Sequence, residues 1–252
     1  MPRREQTILQ QVWALMRLRA RTLSGLLLLT LLALATVLGM RWMADPYRFP
    51  LAVVEVKGDF RYLMKEDLQA AIASHVEAGF FTVDVAATRK AAEQLPWVHK
   101  ASVQRVWPET LRVQIVEQQP VAHWQESGYL NAQGEAFFPQ QKAAALELPR
   151  LSGPQGQEQK VLAQYRQATQ TLAALGLQVQ QIALDERRAW SVRLNDDVQL
   201  WLGRAEPWLR LQRFVRAYPG VFAGRLVELQ RVDLRYSNGF SVLWEHDADR
   251  QG

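Results

Sequence analysis

The chain contains no cysteine. Disulfides, thiolate metal sites and cysteine nucleophiles are therefore excluded, and the redox compartment is left open. Histidine is scarce too: His75, His99, His123 and His246 lack the spacing of a zinc site. There is no Gly-x-Ser-x-Gly elbow, no P-loop and no Gly-x-Gly-x-x-Gly fingerprint. Gly153 and Gly156 punctuate a turn rather than cradle a phosphate, and Asp196-Asp197 reads as a solvated turn. These gaps point away from an enzyme, from metal or other cofactors, and from a small-molecule substrate.

A net positive charge is missing from most of the chain. The formal net charge is +5, yet Arg3, Arg4, Arg17, Arg19 and Arg21 stand against Glu5 alone within residues 1–21. The remainder is close to neutral, which argues against nucleic-acid binding and leaves the basic excess to bear on membrane topology. From Thr22 to Met40 charge is absent altogether, and leucines dominate the run. A helix of about 20 residues spans the ~30 Å hydrocarbon core of a bilayer. Arg21 and Arg41 bracket the run, and Trp42 supplies an aromatic for the interface. A cleaved signal peptide would have a shorter apolar core and a small-x-small site, and Gly39-Met40-Arg41-Trp42-Met43-Ala44 is a poor one. Residues 22–40 are therefore expected to anchor the chain in the inner membrane in a single pass. The arginine-rich N-terminus would be cytoplasmic and the C-terminus periplasmic. Ile8, Val12, Leu15 and Met16 fall near helical spacing in the tail, which fits a surface-lying turn or a plain tail.

Hydrophobic residues make up 48% of the sequence, enough for an ordered core beyond the anchor. Leu51–Val56 reads as a strand ended by Gly58. Leu68, Ala71, Ile72 and His75/Val76 form a helical stripe that Gly79 stops. Asp84 is the expected N-cap of a second helix, Val85–Leu95, which Pro96 ends. Val98–Trp107 alternates, but its two faces are not cleanly polar and apolar, so its inner face stays open. After Pro108-Glu109, Leu111, Val113 and Ile115 alternate with Arg112 and Gln114 in a clearer strand. The order is β-α-α-β-β.

Phe49-Pro50-Leu51, Leu95-Pro96-Trp97-Val98, Val103, Trp107-Pro108-Glu109 and Val116-Glu117, placed just after a membrane helix, resemble the FtsQ/DivIB family of bacterial cell-division proteins. The β-α-α-β-β unit resembles a POTRA domain, a protein-docking fold. Beyond it, Pro120–Trp124 leads out, and Tyr129-Leu130 and Glu135–Phe138 form a hairpin about Asn131–Gly134. Leu151–Gly156 reads as a turn. Val161, Tyr165, Ala168, Leu172 and Leu175 mark a helix closed by Gly176. Strand-like runs follow at 179–184, 190–194 and 198–202. A helix opens at Glu206-Pro207, with Trp208, Leu211 and Val215 on one face, and is expected to end at Pro219-Gly220. Val232, Leu234 and Tyr236 alternate, Ser237-Asn238-Gly239 turns, and Phe240, Val242 and Trp244 share one face of a last strand. Leu151-Ser-Gly-Pro, Arg187-Arg188-Ala-Trp190, Leu202-Gly-Arg204, Val232–Tyr236 and Trp244 extend the resemblance to the family's second domain.

The expected fold class is α+β: a tail (1–21), a transmembrane helix (22–40), a linker (41–48), a POTRA domain (49–119) and a mainly antiparallel β domain with helices (120–252). The resemblance implies a divisome scaffold that works by binding. It implies FtsB and FtsL as chief partners, with FtsA, FtsK, FtsW and FtsI as further contacts. It also implies two surfaces. A recruitment patch would comprise Val85, Lys100, Val103 and Arg105. An FtsB-binding edge would comprise Tyr236, Asn238, Gly239 and Phe240, with Trp244 as an anchor or as core. Arg235 and one of Arg187 and Arg188, preferentially Arg188, would meet an acidic group of FtsB. The rival reading is a POTRA-bearing membrane protein of a secretion or outer-membrane assembly system. Such proteins carry tandem POTRA units or a barrel of short alternating strands, and neither pattern occurs in this sequence.

Overall fold

A computed structural model describes residues 23, 25–140 and 146–245. The tail with its helical stripe, five residues of the loop at 139–149, and His246 lie outside the described residues. Helix α1, Gly25–Met43, is 19 residues long with mean hydropathy 1.9, long and apolar enough to cross a membrane. It takes in Arg41 and Trp42, beyond the expected end at Met40. Ala44 N–H donates to Met40 O at 2.9 Å. Pro46, which has no N–H to offer, follows within three residues.

The described chain divides into two compact units. One holds the residues up to Asp59 with Met64–Leu95 and Lys100–Val116, and the other holds Phe60–Leu63, Pro96–His99 and everything from Glu117 onward. In the first, β1 (Val53–Lys57), α2 (Lys65–Val76), α3 (Val85–Glu93), β2 (Val98–Val106) and β3 (Thr110–Glu117) follow in order. The sheet order is β1-β3-β2, with β1 parallel to β3 from Val53↔Thr110 to Lys57↔Gln114. A parallel neighbour requires a crossover, and the two helices supply it. Alternation in β3 buries Leu111, Val113 and Ile115. In β2 the buried side chains at the middle are Ala101 and Val103, which settles the inner face. Asp84 caps α3 as expected, accepting from the N–H groups of Ala86 at 3.0 Å and Ala87 at 2.9 Å.

The second unit carries β4 (Pro120–Trp124), β5 (Gly128–Asn131), β6 (Ala136–Phe137), β7 (Arg150–Ser152), α4 (Glu158–Ala173), β8 (Val179–Leu184), β9 (Trp190–Leu194), β10 (Gln199–Gly203), α5 (Pro207–Val221), β11 (Leu229–Asp233) and β12 (Ser241–Trp244). They form one nine-stranded sheet in the order β12-β11-β10-β9-β8-β7-β4-β5-β6. Antiparallel neighbours predominate. The parallel pairs are β7 with β8, β10 with β11, and β4 with β7. The first two pairs are bridged by α4 and α5, the crossover that parallel strands demand. Both helices lie against the sheet, α4 over β7 and β8, α5 over β10. Beneath them Val161, Leu162, Leu172, Ile182, Val192, Leu200, Leu211, Phe214, Phe222 and Val232 form one buried cluster. Burying each such side chain contributes about 1.5–3 kcal/mol.

Three sequence expectations shift. Leu151–Gly156 reads as a turn entering a helix, and α4 does follow it, but Arg150–Ser152 is a strand with neighbours on both sides. Helix α5 runs through Pro219 to Val221 rather than ending there. Phe214, Tyr218 and Phe222 pack as one aromatic stripe, with ring centroids 5.4–6.4 Å apart, and their burial outweighs the missing proline N–H. Strand β11 begins at Leu229 and stops at Asp233 instead of continuing to Tyr236, because an arginine of α5 claims the carbonyls beyond it.

Candidate functional site

The sheet ends at β12. It pairs with β11 on one side, from Leu229↔Trp244 to Asp233↔Ser241. Among the described residues no strand covers its other side. An uncovered edge presents a row of unpaired backbone N–H and C=O groups. Ser241-Val242-Leu243-Trp244 holds no proline and no charge to blunt them.

What fixes this strand is on both faces of the sheet. On the helix side, Phe240, Val242 and Trp244 pack against the core. The Phe222 ring lies 5.5 Å from Phe240 and 6.3 Å from Trp244. The guanidinium of Arg225 stands 4.3 Å over the Trp244 ring. Trp244 is thus half-buried on the inner face, so the structure favours core packing over a free aromatic anchor. On the opposite face, Trp201 of β10 lies beneath two arginines, Arg231 of β11 at 4.4 Å and Arg235, just past the end of β11, at 4.9 Å. Gly203 makes that stacking feasible. It sits at φ +71°, and a Cβ there would come within 3.0 Å of Arg235 Cγ.

Arg235 is not an unpaired cation awaiting a partner. Its Nε donates to Asp233 Oδ1 at 2.9 Å and its Nη2 to Oδ2 at 2.6 Å, although about half of the side chain stays exposed. The hydrogen-bonded guanidinium holds the Asp233 carboxyl below its usual range, while burial pushes the other way. A carboxyl lowered on folding contributes stability that is present above its ordinary value and is lost as pH falls through the folded one. Below about pH 4 the thermal midpoint should therefore fall more steeply in the native chain than in Asp233→Asn. Parallel pH profiles would remove the pair from the account.

Arg213 of α5 was not singled out from the sequence. It donates to Ser237 O at 2.6 Å, Tyr236 O at 3.0 Å and Leu234 O at 3.2 Å. This clamp turns the chain out of β11 and feeds it into β12. Tyr236, Asn238 and Gly239 are left exposed on the turn, with Phe240 half-buried. Arg188 lies in the β8–β9 turn at φ +63°, also exposed. The cross-strand registers Trp201↔Ser191 and Trp201↔Asp233 put that turn and Arg235 at the same end of the sheet, with β10 between them.

In the first unit, Lys100 is exposed on β2 and Val85 half-buried at the start of α3. Arg105 is exposed, and its Nη2 donates to Val83 O at 2.5 Å, tying the end of β2 to the entry of α3. Val103 is 7% exposed and belongs to the core. Of the four residues expected in a recruitment patch, it is therefore the one without an exposed side chain. Among the described residues there is no group of three or more acidic, histidine or cysteine side chains able to hold a metal ion.

Comparison with known proteins gives the family. The family model "POTRA domain, FtsQ-type" matches residues 49–118, and "Cell division protein FtsQ/DivIB, C-terminal" matches 122–235. The protein named Cell division protein FtsQ from Coxiella burnetii is 33% identical over 219 residues, 86% of this chain and 90% of that one. The protein of that name from Escherichia coli is 36% identical over 232 residues, 88% of this chain and 84% of that one. The chain belongs to the FtsQ/DivIB family of cell-division proteins. Membership and helix α1 together fit a single-pass membrane protein at the division septum. The family is of a non-catalytic scaffold type. The C-terminal family match ends at Arg235, so the turn and β12 lie beyond it.

Proposed function

We propose that this chain is a divisome scaffold that captures FtsB, together with FtsL, by adding a strand of the partner to the outer edge of β12. The single observation that carries the reading is the position of β12 at the end of a nine-stranded sheet, with its outer side unpaired among the described residues. In β-augmentation, backbone hydrogen bonds give affinity and neighbouring side chains give specificity. Tyr236, Asn238, Gly239 and Phe240 flank the added strand. Arg188 and the exposed part of Arg235 offer charge-assisted hydrogen bonds to an acidic group at that end of the sheet. Trp244 supports the strand from within.

The chain lies with its N-terminus in the cytoplasm and its C-terminus in the periplasm, following the arginine excess before α1. Fixing the scaffold in the membrane raises the effective concentration of bitopic partners such as FtsB and FtsL. FtsA, FtsK, FtsW and FtsI are further contacts of the same assembly. A photo-crosslinking residue at Ser241 in living cells tests the docking edge, and a reporter fused after Gly252 that is active only outside the cytoplasm tests the orientation. Crosslinks to FtsB and an active reporter are expected. FtsB crosslinks at Arg193 but none at Ser241 would move the site, and a silent reporter on intact protein would reverse the topology.

Recruitment to the septum uses the patch on the first unit, with Lys100, Arg105 and Val85 as its surface and Val103 behind it. Reversing the charge at Lys100 and Arg105 together is expected to weaken septal localisation severalfold without lowering FtsB capture, because rim charges act mainly on encounter. Unchanged localisation would exclude the patch.

A further inference from the structure

The chain leaving α1 does not hang free. Asp45 O accepts from the N–H groups of Arg48 and Phe49, each at 3.2 Å, and the Asp45 carboxylate pairs with Arg48 at 3.4 Å. This turn seats directly on the α2–α3 loop. Phe80 N–H donates to Phe49 O at 2.8 Å. Gly79 permits the approach: a Cβ there would stand 2.9 Å from Pro46 Cα and 3.0 Å from Phe49 O. The rings continue the contact, from Trp42 to Phe49 at 5.1 Å, from Phe49 to Phe81 at 5.1 Å, and from Phe81 to Phe80 at 5.2 Å. Arg48 lies 5.7 Å from the Trp42 ring.

Depth follows from these distances. Helix α1 has 19 residues, and at about 1.5 Å each it matches the ~30 Å hydrocarbon core. Trp42 is its penultimate residue and falls at the core boundary, where tryptophan is favoured. Two ring steps of 5.1 Å put Phe81 no more than about 10 Å from Trp42, close to the 5–8 Å depth of a headgroup layer. The surface that results is mainly apolar. Phe81 is 37% exposed, Met43 44% and Tyr47 95%, with Arg41 and the Asp45-paired Arg48 among them. Large exposed aromatics next to a membrane helix, interspersed with cations, have the chemistry of a bilayer interface carrying anionic lipid.

We infer that the α2–α3 loop of the first unit, led by Phe81, is a second membrane contact that sits in the headgroup layer beside α1 and holds this unit against the bilayer. The inference rests on α1 spanning the membrane. It gives the segment after α1 a role different from that of a loose linker: it fixes the height and tilt of the unit above the lipid. The edge of its sheet and the Lys100–Arg105 surface are then presented at a set distance from the membrane, where bitopic partners emerge.

The absence of cysteine makes the test clean. Single-cysteine variants of the full chain, Thr82→Cys, Leu32→Cys and Lys65→Cys, are labelled with an environment-sensitive fluorophore. They are reconstituted into phosphatidylethanolamine–phosphatidylglycerol vesicles containing lipids spin-labelled near the headgroup or deep in the acyl chain. Thr82 lies next to Phe81 and is exposed, so Phe81 itself stays intact, and Lys65 is exposed at the end of α2 opposite the loop. The headgroup spin label is expected to quench Thr82 at least about twofold more than Lys65, and the deep label to quench Leu32. Quenching at Leu32 with Thr82 no different from Lys65 overturns the inference. No quenching at Leu32 overturns the membrane-spanning reading beneath it. Adding Gly79→Ala, which forces the loop off Pro46, should reduce Thr82 quenching and leave Leu32 unchanged. Unaltered Thr82 quenching in that background would refute the seat at Gly79 as the cause.

Discussion

Removing β12 by truncation after Asn238 is expected to abolish FtsB capture and to leave septal recruitment intact. The deletion takes away the entire unpaired edge, and with it the backbone groups that would pair with an incoming strand. Loss of a binding hot spot costs about 2 kcal/mol or more, so affinity should fall at least about 30-fold. The deletion also strips Phe240, Val242 and Trp244 from the core, which lowers stability in the second unit. A fold-level failure must therefore be separated from loss of the edge. Ser241→Pro provides the separation. It leaves Phe240, Val242 and Trp244 in place and introduces a residue that neither donates to a ladder nor tolerates a partner on both sides. Both variants should localise through the first unit. Full-strength capture of FtsB by the truncated chain would sink the assignment.

Much of this architecture is legible in the sequence because period and punctuation agree. The stripe Val161, Tyr165, Ala168 and Leu172 becomes α4. The alternations at 179–184 and 190–194 become β8 and β9 with the same limits, and Asp84 caps α3. Strand β7 was missed for a physical reason. Three residues carry no period, and Gly153-Pro154 directly after them signals a turn. The strand exists because β4 and β8 offer it backbone partners on both sides, and no local pattern encodes that. Pro219 misled in the opposite direction. A local rule for ending helices yielded to the aromatic stripe that α5 buries.

The site shows the same division. That the last strand lacks the lysine or proline that would blunt an edge was readable in the sequence. What holds it there was not. Arg213 reaches carbonyls 21–24 positions away, and in the sequence it is one of three arginines on an amphipathic helix. Asp233 ends β11 and Arg235 lies just past it, but the two are two apart in the alternating run Val232, Leu234, Tyr236, so their pairing had a readable signal in the i, i+2 spacing. Burial of Val103 had a weaker one, since its strand alternates without a clean polar face.

Phe222→Ala is expected to cost about 3–5 kcal/mol of stability, the range for truncating a fully buried aromatic. For a unit of this size the thermal midpoint should fall by roughly 10 °C. Phe222 is 0% exposed and follows α5 directly, its N–H bonded to Tyr218 O at 2.9 Å. Its ring touches those of Phe214 and Tyr218 on one side and of Phe240 and Trp244 on the other. It is therefore the side chain through which the helix layer fixes the inner face of β12. Leu151→Ala removes a comparably buried residue from β7, five strands from β12 in the sheet, at about 2–5 kcal/mol. If β12 is the docking edge, the two variants should lose similar stability, but only Phe222→Ala should weaken FtsB binding under conditions where both remain folded. The added loss is the cost of ordering a strand that is no longer held from behind, on the order of tenfold in affinity. Equal binding by the two variants, with the Phe222→Ala chain folded, would mean that the partner does not read the position of β12.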